Sequence, residues 1–291
     1  MTDEIAENLR KHVSELAGKI GERNYLMMPA LQRARDYIEA RLAGTGLAVE
    51  KRPYRVQGMD FENVVGTLPG RSAETLVVGA HYDTVPGSPG ADDNASGVAA
   101  LLELARMFGG KPGKLTVRFV GFVNEEMPFF LSPDRGSRIY ARECRQAGDR
   151  VTGMISLEMV GYFRDEPGSQ RYPFPLSFFY PSVANFIGVV GNFRSRALVR
   201  SLTRAFKTAG SIPVESVAAF QGIRGVGLSD HASFWEQGWP AAMITDTSFF
   251  RTPHYHQESD TPDTLDYPRM AHVVEGLAEW LREAIGYSPT G

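Results

Sequence analysis

The sequence predicts an α/β fold: one central, mostly parallel but mixed β-sheet with helices on both faces. Short apolar runs rich in β-branched residues alternate with longer segments whose apolar residues recur every three to four positions. Such alternation implies a largely parallel sheet covered on both sides. The chain has 291 residues and is 43% hydrophobic, enough apolar material for one sizeable core without disulfide staples. No internal repeat, low-complexity tract or linker divides it, so residues 1–291 read as a single domain.

Taken in order, Ile5, Leu9, Val13, Leu16 and Ile20 share one helical face, and Gly21 follows as a stop. A second helix starts near Pro29 and runs through Leu31, Ala34, Ile38 and Leu42 to Gly44, so two helices fill about residues 1–45. Strands are expected at 49–56 and 61–68, the second ending in Pro69-Gly70. The apolar, β-branched run 75–80 reads as a buried strand. Helix 98–108, strand 115–123, helix 135–147 and strand 151–157 follow. Strands at 186–190 and 241–245 and helices at 195–209 and 269–285 complete the pattern. Residues 161–181 are rich in Pro, Phe and Tyr, lack a period and are too long for an ordinary connection. A structured lid or substrate loop is expected there.

The charge of −3 is dispersed and no basic block occurs, which argues against nucleic-acid and lipid-surface partners. The first residues lack the basic and apolar regions of a secretory signal. No apolar run approaches the ~20 residues needed to span a bilayer, so a cytoplasmic protein is expected. Cys144 is the only cysteine, which rules out an intrachain disulfide. It falls in a predicted helix with no base nearby in sequence, against a nucleophilic role.

In open α/β sheets, ligands bind beyond the carboxyl ends of the strands. His81-Tyr82-Asp83 follows the strand 75–80, Asn124-Glu125-Glu126 follows 115–123, and Glu158 follows 151–157. The loop after 241–245 carries Pro253-His254-Tyr255-His256. The Gly-rich run 87–97 leads into a helix but lacks the Gly-Lys-Ser/Thr of a P-loop, and Asp92-Asp93 would repel phosphate. Acidic residues there suit a cation. Imidazole and carboxylate are normal zinc ligands, and two such ions can share a carboxylate. In the Glu125-Glu126 pair one side chain can bind metal while its neighbour serves as base; spacing alone leaves open which does which.

Taken together, His81-Tyr82-Asp83, the run 90–97, Asn124-Glu125-Glu126, the run 156–161 and Tyr255-His256 closely resemble the dizinc aminopeptidase family, metallopeptidase family 28. The resemblance covers about residue 60 to the end. It implies a zinc-exopeptidase-like fold, two Zn2+ ions per chain and a peptide substrate cleaved at its N-terminal residue. Position by position, it implies His81, Asp93 and Glu158 on one zinc and Asp93, Glu126 and His256 on the other, with Asp93 shared. It makes Asp83 the residue that orients His81, Glu125 the general base, and Tyr255 a donor to the oxyanion or a pocket wall. Glu158 departs from the pattern, where an aspartate is usual. Asp230-His231 recurs near the site in relatives, with Ser229 or Asp230 equally placed to cap a helix. His254 is read as structural or rim-exposed. Three competing readings are a related dizinc carboxypeptidase, a glutaminyl-peptide cyclase with a single zinc, and a non-catalytic protein that keeps the fold. A large inserted domain would be expected of the first, and lost ligands of the last. Keeping both Asp93 and Glu126 argues against the second.

Overall fold

Among the described residues, eight strands form the sheet: β1 (Ala48–Val56), β2 (Met59–Leu68), β3 (Glu74–His81), β4 (Thr116–Phe122), β5 (Arg150–Glu158), β6 (Ile187–Asn192), β7 (Val214–Ala219) and β8 (Ala241–Thr245). Their spatial order is β1-β2-β4-β3-β5-β8-β6-β7. The computed structural model describes residues 2–172, 174 and 176–287. Pro173 and Pro175 of the expected lid, and the last four positions of the expected domain, lie outside the described residues.

The four central strands β4, β3, β5 and β8 are mutually parallel, so their carboxyl ends meet at one rim. Seven of the eight residues of β3 are buried, as its unbroken apolar run requires when both faces are covered. The sheet is mixed at its margins. On one side β2 runs antiparallel to β4 and pairs with β1 in a hairpin. Gln57 and Gly58, both with positive φ, make the tight turn whose twist matches the strands. On the other side β6 is antiparallel to β8, and β7 is parallel to β6.

The helices are α1 (Thr2–Val13), α2 (Met28–Ala43), α3 (Gly97–Phe108), α4 (Gly136–Gln146), α5 (Arg196–Ala209), α6 (His231–Glu236) and α7 (Tyr267–Ile285). The expected first helix does reach Ile20, but its last stretch, Ser14–Ile20, widens into a π-type winding before Gly21 ends it at φ 76°. The larger core packs α1, α2, α3, α5 and α7 on one face of the sheet. The smaller one sets Tyr140, Ala141 and Cys144 of α4 and Phe234 of α6 against Val65, Val77, Val120 and Met154 on the other. Both faces are therefore covered, as the strand pattern demands. No helix among the described residues is long and apolar enough to cross a membrane.

Two elements escape the sequence reading. β7 is an edge strand whose residues are all half-buried, so its sequence shows no strong apolar pattern. α6 is six residues long, too short for a helical period to register. The segment 161–181 is mostly irregular, with one 3-10 turn at Leu176–Phe178. It is tied down by Arg164 N–H to Ala184 O, Arg171 N–H to Phe250 O, and the Tyr180 hydroxyl to Ser216 O.

Candidate metal centre

The rim of the four parallel strands collects the chemistry. β3 ends in His81, β5 ends in Glu158, and β4 leads through Asn124 into Glu125 and Glu126. Asp93 lies in the loop that enters α3, and His256 in the loop after β8. His81, Asp93 and Glu126 bring one donor atom each within 4.8 Å of one another. Asp93 stands at the centre. Its Oδ1 lies 3.3 Å from His81 Nε2, and its Oδ2 lies 3.2 Å from His256 Nε2. His81 Nε2 is also 3.5 Å from Glu158 Oε1, and His256 Nε2 is 3.4 Å from Glu126 Oε1. Thus each oxygen of one carboxylate faces a separate His–Glu pair.

These spacings fit tetrahedral zinc, whose donors at bonds of about 2.0–2.1 Å stand about 3.3 Å apart. His81 Nε2, Asp93 Oδ1 and His256 Nε2 are buried and make no hydrogen bond. A native interior rarely leaves such atoms without a reason; three of them gathered around one carboxylate suit bound cations. The electrostatics agree. Burial raises Glu126 to about 7, with Asp93 adding to the rise. Burial opposes charge on His256, but Asp93 and Glu126 outweigh it and lift the imidazole to about 10. Burial likewise pushes Glu125 well above the usual carboxylate range, while Arg135 pulls the other way.

The donors are held through their backbones. The Asp83 carboxylate accepts the N–H groups of Glu125 and Glu126, both at 3.1 Å. His81 Nδ1 lies 3.2 Å from the Asp83 backbone oxygen and 3.6 Å from its carboxylate. Asp260 repeats the device, accepting the N–H groups of Asp92 and Asp93 at 2.8 and 3.0 Å. Asn94 accepts from Gly97 and Met159 N–H and donates to Leu157 O, locking the Asp93 loop to the end of β5. That lock needs glycine at 97, where a Cβ would sit 2.5 Å from Leu157 O. Asn124, Met159 and His256 all adopt positive φ, at 61°, 50° and 59°. Each costs of the order of 1 kcal/mol and is sustained by its surroundings.

Arg23 is fully buried and donates to the carbonyls of Tyr82, Pro89 and Gly90, joining the N-terminal helices to both ligand loops. Ser229 donates to Glu158 Oε2 at 2.6 Å and is itself bonded to Ser156, so the longer carboxylate at 158 is held in place. Asp92 turns away from the centre: its Oδ1 accepts from Gly161 N–H. His254 lies aside, bonded to Ser259 and packed on Tyr162. Tyr255 stacks on His256 with ring centres 3.7 Å apart. Asp230 faces Arg135, whose guanidinium also binds Glu125. Sequence reasoning does not single out Arg23, Arg135 or Asp260. Asp260 lies 168 residues from the Asp92 N–H it accepts, and no local pattern marks such a partner.

Beside the cluster opens a cleft of about 250 Å3. Asp93, Glu125, Glu126 and Glu158 stand at one end; Phe186, Val189, Met243, Phe249 and Phe250 supply much of the apolar wall. Tyr172, Leu176 and Tyr180 from the segment 161–181 line it too.

An open α/β sheet whose strand ends gather imidazoles and carboxylates beside a largely apolar cleft fits a metal-dependent enzyme. The family model described as peptidase family M28 matches residues 63–281, and the chain belongs to that family. An uncharacterised Escherichia coli protein, YfbL, is 37% identical over 280 residues, covering 93% of this chain and 86% of its own length. Leucine aminopeptidase 1 of Arthroderma otae is 30% identical over 236 residues, 76% of this chain; the match spans only 57% of that longer protein. Among solved structures, a zinc aminopeptidase from Bacillus subtilis superposes with a TM-score of 0.78 at 16% identity, covering 96% of this chain and 95% of its own. A glutaminyl cyclase from Fimbriiglobus ruber gives 0.73 at 24% identity, covering 95% and 94%. At these identities the two structures speak to the fold.

Proposed function

We propose that this chain is an aminopeptidase that removes N-terminal residues from peptides, holding two zinc ions and using Glu125 as general base. The observation that carries the reading is Asp93, whose two oxygens face the separate pairs His81–Glu158 and His256–Glu126. His81, Asp93 and Glu158 would hold one ion, and His256, Asp93 and Glu126 the other. Zinc bound by such donors supplies a Lewis acid that polarises a carbonyl and acidifies water.

The remaining work falls to the chain itself. Glu125 belongs to neither donor set, yet it lines the cleft beside both. Its carboxylate takes the proton of the attacking water and returns it to the leaving amine nitrogen. Asp83 fixes where that carboxylate starts by holding the N–H groups of Glu125 and Glu126. Burial and the carboxylates around Tyr255 keep its phenol protonated, fit to donate to a developing oxyanion. The free amine of the substrate would lie near Glu158, with its side chain in the apolar cleft. The matching relatives named as leucine aminopeptidases support this reading.

The test is turnover of aminoacyl-arylamides by the Glu125→Gln protein with its metal content verified. A loss of about 10²–10⁴-fold in kcat is expected. Turnover close to that of the unmodified protein, with metals bound, would remove Glu125 from the role.

A further inference from the structure

Arg135 is 1% exposed, and its Nη2 donates to Glu125 Oε1. Its Nε faces Asp230 Oδ1 at 3.5 Å, and its guanidinium lies 4.7 Å above the Phe130 ring. Asp230 is fully buried, and neither of its oxygens nor Arg135 Nε makes a hydrogen bond. One guanidinium therefore stands between two buried carboxylates, one of which opens on the cleft.

The backbone around Arg135 is fixed with unusual care. Gly136 N–H donates to Val123 O at 2.9 Å. Asn63 ties the same two segments together, accepting from Val123 N–H and donating to Gly136 O. A Cβ at 136 would lie 2.2 Å from Val123 O, so only glycine allows the approach. Arg135 thus starts from the head of α4, against the chain just past β4 and beside the turn that carries Glu125. A buried ion pair contributes little net stability compared with apolar packing of the same volume. The physical effect of this guanidinium is concentrated on where the Glu125 carboxylate sits.

We infer that Arg135, braced by Asp230, is a positioning residue: it engages Oε1 of Glu125 and leaves Oε2 to exchange the proton with water and leaving amine. This rests on Glu125 being the base, as proposed above. The fork of a guanidinium fixes both distance and plane, which a point charge does not. An error of about 1 Å in such a group costs about 10²-fold in rate.

The experiment compares Arg135→Met/Asp230→Asn, Arg135→Lys and Glu125→Gln with the unmodified holoenzyme. The double variant removes one positive and one negative charge together, so the net charge of the Glu125–Arg135–Asp230 cluster is unchanged. Measured are bound zinc, kcat and KM on a leucyl-arylamide, and calorimetric affinity for leucine and for its tetrahedral phosphonic acid analogue. The double variant should keep its zinc, and its KM and leucine affinity should stay within about threefold while kcat falls about 10²-fold. Phosphonate affinity should fall with kcat, because that ligand resembles the transition state. Arg135→Lys should recover part of kcat, to about tenfold below the unmodified enzyme.

Unchanged kcat and phosphonate affinity in the double variant would overturn the inference. So would loss of zinc or of the folded state, which would make Arg135 a scaffold element. Full kcat in Arg135→Lys would show that charge without the fork suffices, and also overturns it. The Glu125→Gln arm separates the two readings. Full turnover there removes the base itself, whereas an inactive Glu125→Gln beside a fully active double variant removes only the role of Arg135.

Discussion

The floor of the cleft and its wall are built on opposite plans. On the floor, the loops bearing His81, Asp93, Glu125 and Glu126 have their backbone groups satisfied by buried side chains: Asp83, Asn94, Asp260 and Arg23. The wall is made of β6, β7, β8 and the loops around them, and its lining is mostly apolar, with Glu215, Arg224 and Thr245 among the polar exceptions. Phe174, Phe178, Phe179 and Phe220 are largely exposed near these loops. Buried polar networks fix geometry, while apolar surfaces on loops allow variation. Under the proposed function, chemistry belongs to the floor and side-chain choice to the wall, so a change on one side should leave the other's property intact.

The sharpest break comes from Asp93→Ala. It removes the one carboxylate facing both His–Glu pairs, so zinc binding and turnover should both collapse. The loss should exceed the roughly 10–100-fold that removing an outer hydrogen-bond partner costs. Metal analysis and arylamide hydrolysis check it. Asp260→Asn touches no donor atom but weakens the grip on the Asp92 and Asp93 N–H groups. Zinc affinity measured against a competing chelator should drop about 10–100-fold, while KM at saturating zinc stays near that of the unmodified enzyme. On the wall, Phe249→Ala should change the preference for leucyl over glycyl substrates by about tenfold or more, with metal content untouched.

The smallest effect lies away from both regions, where α1 meets α3. Glu103 is buried and accepts from Arg106 and Asn8, with His12 Nε2 at 3.8 Å. Burial would raise its pKa, but His12 and Arg106 outweigh burial and hold it below the ordinary range. Its folded value thus lies below the unfolded one of about 4.3. The stability it contributes is complete above the unfolded value and is lost as pH falls through the folded one. Glu103→Gln should cost about 1.5–3 kcal/mol near neutrality and weaken the acid dependence of unfolding, with kcat unchanged.

The same contrast explains what could be read from the residues. Strands β3, β4, β5 and β8 are buried on both faces, so apolar runs betray them, and donors set directly after strands stand out. His81, Glu126 and Glu158 are legible for that reason, and Asp93 and His256 by motif. Asp260, Arg23 and Arg135 are not, because they act on backbone groups or on another side chain brought near only by the fold. The Asp83 motif suggests a partner for His81; its larger part, holding two consecutive N–H groups of the Glu125–Glu126 turn, needs coordinates. β7 and α6 fail to register, one as a half-buried edge and the other through its brevity. The wall is the less legible region throughout: a phenylalanine in a loop looks alike whether it packs inward or lines a cleft.

The central claim is that one carboxylate, Asp93, serves two zinc sites. The most direct measurement is zinc stoichiometry taken alongside leucyl-arylamide hydrolysis as zinc is added back to chelator-treated protein. Two zinc ions per chain at full activity, with both lost together in Asp93→Ala, is the predicted result. Full activity at one zinc per chain, or hydrolysis indifferent to chelation, would contradict the account.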